Sequence, residues 1–193
     1  MSPYLFNFDR LEEKDYLFIS KILKNRGTII YPTETIYGVG GKGFDKEVTE
    51  KIFQIKNRPQ SKSFLLLFKN RDMLEKYVVI KSKLENKIIE KYWPGEITLI
   101  LQDRHGNSNI ACRISSHPFV QKLFEFIDFP IISTSANLSG EKYNGNFERI
   151  YQIFKNKVDI FVNNGNRDGE PSTIVKVENS RVKIIRKGKI NTI

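Results

Sequence analysis

Two apolar runs constrain this chain most. Phe64 to Phe68 and Ile97 to Leu101 carry no polar alternation. A strand with one face in water alternates, so unbroken apolar runs of this length point to strands covered on both faces, as in a sheet sandwiched by helices. The segments between and around them supply the helices. Leu84, Ile88 and Ile89 recur at helical spacing within Lys83 to Tyr92, and Trp93-Pro94-Gly95 turns the chain into the second run. Asp45 is placed to cap a helix bearing Val48, Ile52, Phe53 and Ile55, which must end near Arg58-Pro59 because the residue before proline avoids the helical region.

The same reading extends along the chain. Asp9 followed by Glu12 has capping-box spacing, ahead of a helical face at Leu11, Phe18, Ile22 and Leu23 that stops near Gly27. Thr28 to Tyr31 reads as a strand, and the Gly- and Thr-rich stretch PTETIYGVGGKG after it as a shaped loop. Further strands are expected at Ile110 to Ile114, Ile131 to Ser133 and Ile160 to Val162, with helices at Pro118 to Ile127 and closing at Tyr151 to Phe154. Thr173 to Val177 and Lys183 to Ile185 read as a hairpin. The expectation is one α/β domain over residues 1–193, with a mixed parallel and antiparallel sheet and no internal repeat.

Charge and cysteine content narrow the function classes. There are 32 Lys+Arg against 22 Asp+Glu, a formal charge of +10, which suits polyanionic partners but equally a lysine-rich solubilising surface. With Cys112 as the one cysteine, no intrachain disulfide forms and a reducing, cytoplasmic location is expected. One cysteine with His105 and His117 cannot assemble an ordinary zinc site. No apolar stretch approaches the ~20 residues needed to cross a bilayer, so no membrane partner is expected.

The usual catalytic signatures are missing. Gly38, Gly40 and Gly43 have dinucleotide-fingerprint spacing but lie too far beyond the strand, and Gly41-Lys42 is followed by Gly43 where a phosphate-binding loop needs Ser or Thr. What remains is a series of polar clusters at strand ends. Thr33 and Thr35 could hold a small polar ligand or only stabilise a turn. Lys56, Arg58 and Lys62 crowd one short turn, as in a phosphate clamp, although cations also suit a helix C-terminus. Arg113, among apolar neighbours, should meet a carboxylate belonging to the protein or to a ligand. Ser133, Thr134, Ser135, Asn137 and Ser139 precede Gly140, and Ser172-Thr173 and Arg186-Lys187-Gly188 flank the hairpin. No cluster offers a nucleophile with its base. Such a site binds anions and positions reactants.

In these residues the chain resembles the YrdC/TsaC family of threonylcarbamoyl-AMP synthases. The similarity lies in the run from Tyr31 to Gly40, in Lys56-x-Arg58 with Ser135-x-Asn137, in Trp93-Pro94-Gly95 with Thr98, in Arg113 before His117-Pro118, and in Ser172-Thr173-Ile174 and Arg186-x-Gly188. It runs from about Gly27 to Gly188. The resemblance implies a twisted mixed sheet flanked by helices around a positively charged cavity. It implies that L-threonine, bicarbonate and ATP, with Mg2+, give threonylcarbamoyl-AMP and pyrophosphate. A partner transferase complex would then modify the adenosine next to the anticodon of tRNAs reading codons that start with A, and weak tRNA binding would be no surprise.

By similarity, Lys56, Arg58, Ser135 and Asn137 would be catalytic and, with Lys62, Asn109 and Arg186, would hold ATP; Thr35, Arg113, Ser133 and Ser172 would hold threonine. No protein-borne metal site is implied. One branch of the family has a histidine where this chain has Leu67, and longer relatives add a second domain, so the chain resembles the short form. The competing expectation is a non-catalytic, basic RNA-binding module of the same fold.

Overall fold

The computed structural model describes residues 2–58 and 64–193. Lys62 lies outside them. The chain builds, in order, β1 (Tyr4–Asn7), α1 (Glu13–Lys24), β2 (Thr28–Pro32), β3 (Tyr37–Gly41), α2 (Lys46–Lys56), β4 (Leu65–Leu67), α3 (Arg71–Glu75), β5 (Val78–Val79) and α4 (Lys83–Tyr92). There follow β6 (Ile97–Asp103), β7 (Asn109–Arg113), α5 (Pro118–Leu123), β8 (Ile131–Ser135), α6 (Phe147–Phe154), β9 (Ile160–Asn163), β10 (Thr173–Glu178) and β11 (Arg181–Arg186). The strands form one mixed sheet in the order β1-β9-β2-β3-β8-β4-β7-β6-β10-β11, with β5 paired to β6.

The two apolar runs are β4 and β6, in the middle of this sheet. Leu66, Leu67, Ile97, Leu99 and Leu101 are buried. The half-exposed positions within them, Leu65 and Ile100, both face one cavity. The α/β reading with a mixed sheet holds: β4 runs parallel to β7 and antiparallel to β8, and β10 runs parallel to β6 and antiparallel to β11. Asp45 caps α2 by accepting from the amides of Glu47 and Val48, and Asn57 ends it in the left-handed region at φ 51°.

Several local expectations change. PTETIYGVGGKG is a loop over Thr33 to Ile36 and turns again at Gly43; Tyr37–Gly41 is a buried strand between β2 and β8. Its glycines hide the strand because they serve packing. A Cβ on Gly40 would lie 2.1 Å from the Ile132 carbonyl oxygen, so only glycine lets the backbones meet. The capping partners are Glu12 and Asp15, whose carboxylate takes the Glu12 amide at 2.9 Å, because Phe8–Arg10 first makes a 3₁₀ turn closed by Leu11 N–H. α5 ends at Leu123 instead of Ile127: the Glu125 and Phe126 amides bond three residues back, tightening the last turn into 3₁₀ form. β8 runs on through Thr134 and Ser135, which pair with Val39 and Gly38. β1, α3 and β5 had no clear sequence signal. Among the described residues, no helix is long and apolar enough to cross a membrane.

Candidate active site

The β2–β3 loop, the ends of β4, β7 and β8, and the β10–β11 hairpin converge on a cavity of about 250 Å3. Sheet register explains the gathering. Leu67 pairs with Arg113 and Leu65 with Ser133, and two residues apart on β4 these pairs share one face of the sheet, while Ile174 pairs with Arg186. Leu65, Ile100, Ala111 and Ile174 supply apolar wall, while Arg58, Arg113 and Arg186 enter from three sides.

Arg113, only 2% exposed, meets a carboxylate of the protein itself: its Nη1 lies 3.4 Å from Glu34 Oε1 and donates to Thr35 Oγ1 at 3.3 Å. Glu34 also accepts from the Ser115 hydroxyl. Thr33 Oγ1 donates to the Ile36 carbonyl at 2.7 Å and lies 3.0 Å from Thr35 Oγ1. Since Thr33 has a single hydroxyl proton, Thr35 must donate in that pair, leaving its lone pairs to Arg113. The two threonines shape the turn and also line the cavity.

Lys56, expected in a phosphate clamp or as a cation at a helix C-terminus, is the last residue of α2. It is 2% exposed, and its ammonium donates to the backbone carbonyls of Ser135 at 2.5 Å and Asn137 at 2.7 Å. The Ser139 amide returns a bond to the Lys56 carbonyl at 2.8 Å. Lys56 thus ties the end of α2 to the turn after β8 and does not itself face the cavity. Burial, with Arg58 adding repulsion, pushes its pKa down to about 8. Arg58 does face the cavity, with Nη1 3.3 Å from Thr134 Oγ1 and its guanidinium 4.9 Å from the Phe64 ring centre. Asn137 donates from Nδ2 to the Leu138 and Glu141 carbonyls, while its buried Oδ1 has no hydrogen-bond partner.

On the opposite wall Arg186 Nη2 donates to the Ser172 carbonyl at 2.7 Å and lies 3.3 Å from Ser172 Oγ, which sits 2.8 Å from the fully buried Thr98 Oγ1. Burial first, then the charges of Arg113 and Arg58, lower the pKa of Arg186. Arg186 thus feels the other two guanidinium groups.

The structure therefore brings together Thr35, Arg58, Arg113, Ser133, Ser135, Ser172 and Arg186 as cavity wall. Asn109 is exposed at the other end of β7 and is not among them. Leu67 is buried and leaves the cavity wall without a donor at that position. Sequence reasoning missed Glu34 as the partner of Arg113 and Thr134 as the partner of Arg58; the one acid between two threonines was the available signal for the first. His117 is structural: its Nδ1 accepts the Phe119 amide at the start of α5, and burial holds its pKa down at about 4.

Residues 21–188 match the Sua5/YciO/YrdC family, whose description is "Telomere recombination". The threonylcarbamoyl-AMP synthase of Psychromonas ingrahamii is 34% identical over 145 residues, covering 70% of this chain and 76% of that protein. The crystal structure of E. coli YciO superposes with a TM-score of 0.85 at 25% identity, covering 97% of this chain and 96% of that one. Pyrococcus abyssi Sua5 complexed with L-threonine superposes with a TM-score of 0.87 at 24% identity, and there this chain spans 57% of the other's length. A match over 21–188, with its cations and hydroxyls gathered on one cavity, places the chain in the Sua5/YciO/YrdC family.

Proposed function

We propose that this protein is a threonylcarbamoyl-AMP synthase, a nucleotidyltransferase that converts L-threonine, bicarbonate and ATP to threonylcarbamoyl-AMP and pyrophosphate. The observation that carries the reading is the convergence of Arg58, Arg113 and Arg186 on one cavity with apolar wall between them. Three guanidinium groups on one cavity, with Arg113 buried and Glu34 countering only that one, attract an anion placed among them. The cavity is in this sense cationic and selective for a substrate bearing several negative groups.

The roles follow from position. Arg113 takes the threonine carboxylate, and Thr35, Ser133 and Ser172 present hydroxyls to the rest of the amino acid. The neutral threonine amine attacks the carbon of bicarbonate, losing water to form a carbamate. A carbamate oxygen then attacks the α-phosphorus, and the bond to pyrophosphate breaks. Charge develops on phosphate oxygens, so the useful groups are fixed donors: Arg58 and Arg186 on opposite walls, and Ser135 at the end of β8. Lys56 acts one step back, by shaping the Ser135–Asn137 segment.

Among the described residues no three His, Cys, Asp or Glu side chains cluster to hold a metal. Magnesium would enter with ATP as part of that substrate, held by phosphate oxygens and water. The product would pass to a partner transferase complex acting on tRNA.

The test is pyrophosphate release from magnesium-ATP by purified protein, omitting threonine or bicarbonate in turn. Release that requires both supports the synthase. Absence of release, together with salt-sensitive tRNA binding, overturns it in favour of a non-catalytic RNA-binding module.

A further inference from the structure

Glu34 lies behind the cavity wall. Thr33, Thr35 and Ile36 around it face the cavity, but Glu34 does not, and its side chain is only 10% exposed. Its carboxylate is fixed from the far side. The fully buried Ser115 hydroxyl accepts the His117 amide at 3.2 Å and spends its one proton on Glu34 Oε2. The other oxygen, Oε1, is buried, has no hydrogen-bond partner, and stands 3.4 Å from Arg113 Nη1. At that separation the contact is Coulombic more than a hydrogen bond. Glu34 therefore supplies Arg113 with a counter-charge and a preferred orientation without taking a hydrogen bond from it; of the guanidinium donors, one Nη1 proton goes to Thr35 Oγ1.

We infer that Glu34 is a positioning residue for the carboxylate subsite: held by Ser115, it gives the buried Arg113 guanidinium a counter-charge and keeps it aimed at the carboxylate of the amino-acid substrate. The inference rests on the proposed function, since it takes the Arg113 ligand to be an α-amino acid. Two physical requirements meet here. A guanidinium this deeply buried needs a nearby negative charge, and a carboxylate-binding arginine must keep donors free. A neutral partner satisfies only the second requirement. A hydrogen-bonded carboxylate closing on Arg113 would satisfy only the first. An acid anchored to a neighbouring hydroxyl and held just beyond hydrogen-bond range satisfies both.

The test compares Glu34→Gln and Glu34→Asp with the parent protein by calorimetric titration of L-threonine and, separately, of magnesium-ATP. Glu34→Gln keeps size and loses charge; it should weaken threonine binding ~tenfold, as expected for losing one charged interaction, with ATP affinity within about twofold. Glu34→Asp keeps the charge and should stay within about threefold of the parent for both ligands. In turnover, Glu34→Gln should raise KM for threonine far more than it lowers kcat. Equal threonine affinity for parent and Glu34→Gln overturns the inference while leaving the synthase reading intact. Parallel weakening of threonine and ATP by both variants, with a lowered melting temperature, also overturns it by showing a purely structural role. A parent protein that binds ATP but no threonine overturns the functional reading, and the inference with it.

Discussion

The ammonium of Lys56 lies 2.7 Å from the backbone carbonyl of Asn137, joining the last residue of α2 to the turn that follows β8. With the companion bond to Ser135 it fixes the path of a segment whose Ser135 lines the cavity. Lys56 and Arg58, two residues apart, therefore fail in different ways when removed. Lys56→Ala leaves two carbonyls without their donor and empties a buried site, at a cost of roughly 2 kcal/mol, so the melting temperature should fall by ~4–8 °C and activity should be lost. Arg58→Ala should keep the parent melting temperature within about 2 °C and still lose product formation at least ~100-fold. Scanning calorimetry beside a pyrophosphate assay separates the two. Parent-rate turnover in Arg58→Ala would remove it from the nucleotide site.

Lys56 also gives stability a pH dependence of definite sign. Its pKa falls from 10.5 unfolded to about 8 folded, because burial and Arg58 disfavour the charged form. Between those values the unfolded chain binds more protons, so this group adds stability as pH rises from about 8 toward 10.5, and below pH 8 its penalty is fully present. Denaturant melts of the parent minus Lys56→Met should show that difference rising across the window. A flat difference would mean that the ammonium is better compensated than its surroundings indicate.

Ser172 connects the buried Thr98 hydroxyl to Arg186. Ser172→Ala strands Thr98 and loosens Arg186, costing about 1 kcal/mol of stability and raising KM for threonine several-fold. Ser172→Thr, which restores a hydroxyl, should recover most of the loss. Unchanged kinetics in Ser172→Ala would take the residue out of the amino-acid subsite.

Gly40 permits the close approach of β3 and β8. Gly40→Ala would bring its Cβ to 2.1 Å from the Ile132 carbonyl, which the buried backbone cannot clear without moving the strand that ends at Ser135. The expected result is a loss of ~2–4 kcal/mol or failure to fold, read from a urea melt. A neutral substitution would show the sheet more pliable there than its packing implies.

The elements readable from sequence were those with a strong local period: α2 from Asp45 to Lys56, α4 from Lys83, and the central runs that became β4 and β6. β3 escaped because Gly38, Gly40 and Gly41 are poor strand formers, and the backbone contact that requires Gly40 is visible only once the Ile132 carbonyl lies against it. Arg58, Arg113, Ser135 and Arg186 were found as site candidates from motif and resemblance together. The direction each side chain takes was not, as Lys56 shows.

The sequence alone determined a mixed α/β sheet with buried central strands and a set of cations and hydroxyls at strand ends, because periodicity and residue type act locally along the chain. Only the tertiary structure decided that Arg113 pairs with Glu34, that Lys56 turns into backbone while Arg58 faces the cavity, and that Asn109 stays outside it. Those outcomes depend on strand order and register, which set what stands opposite a residue across the sheet and which the residue's own neighbours in sequence do not encode.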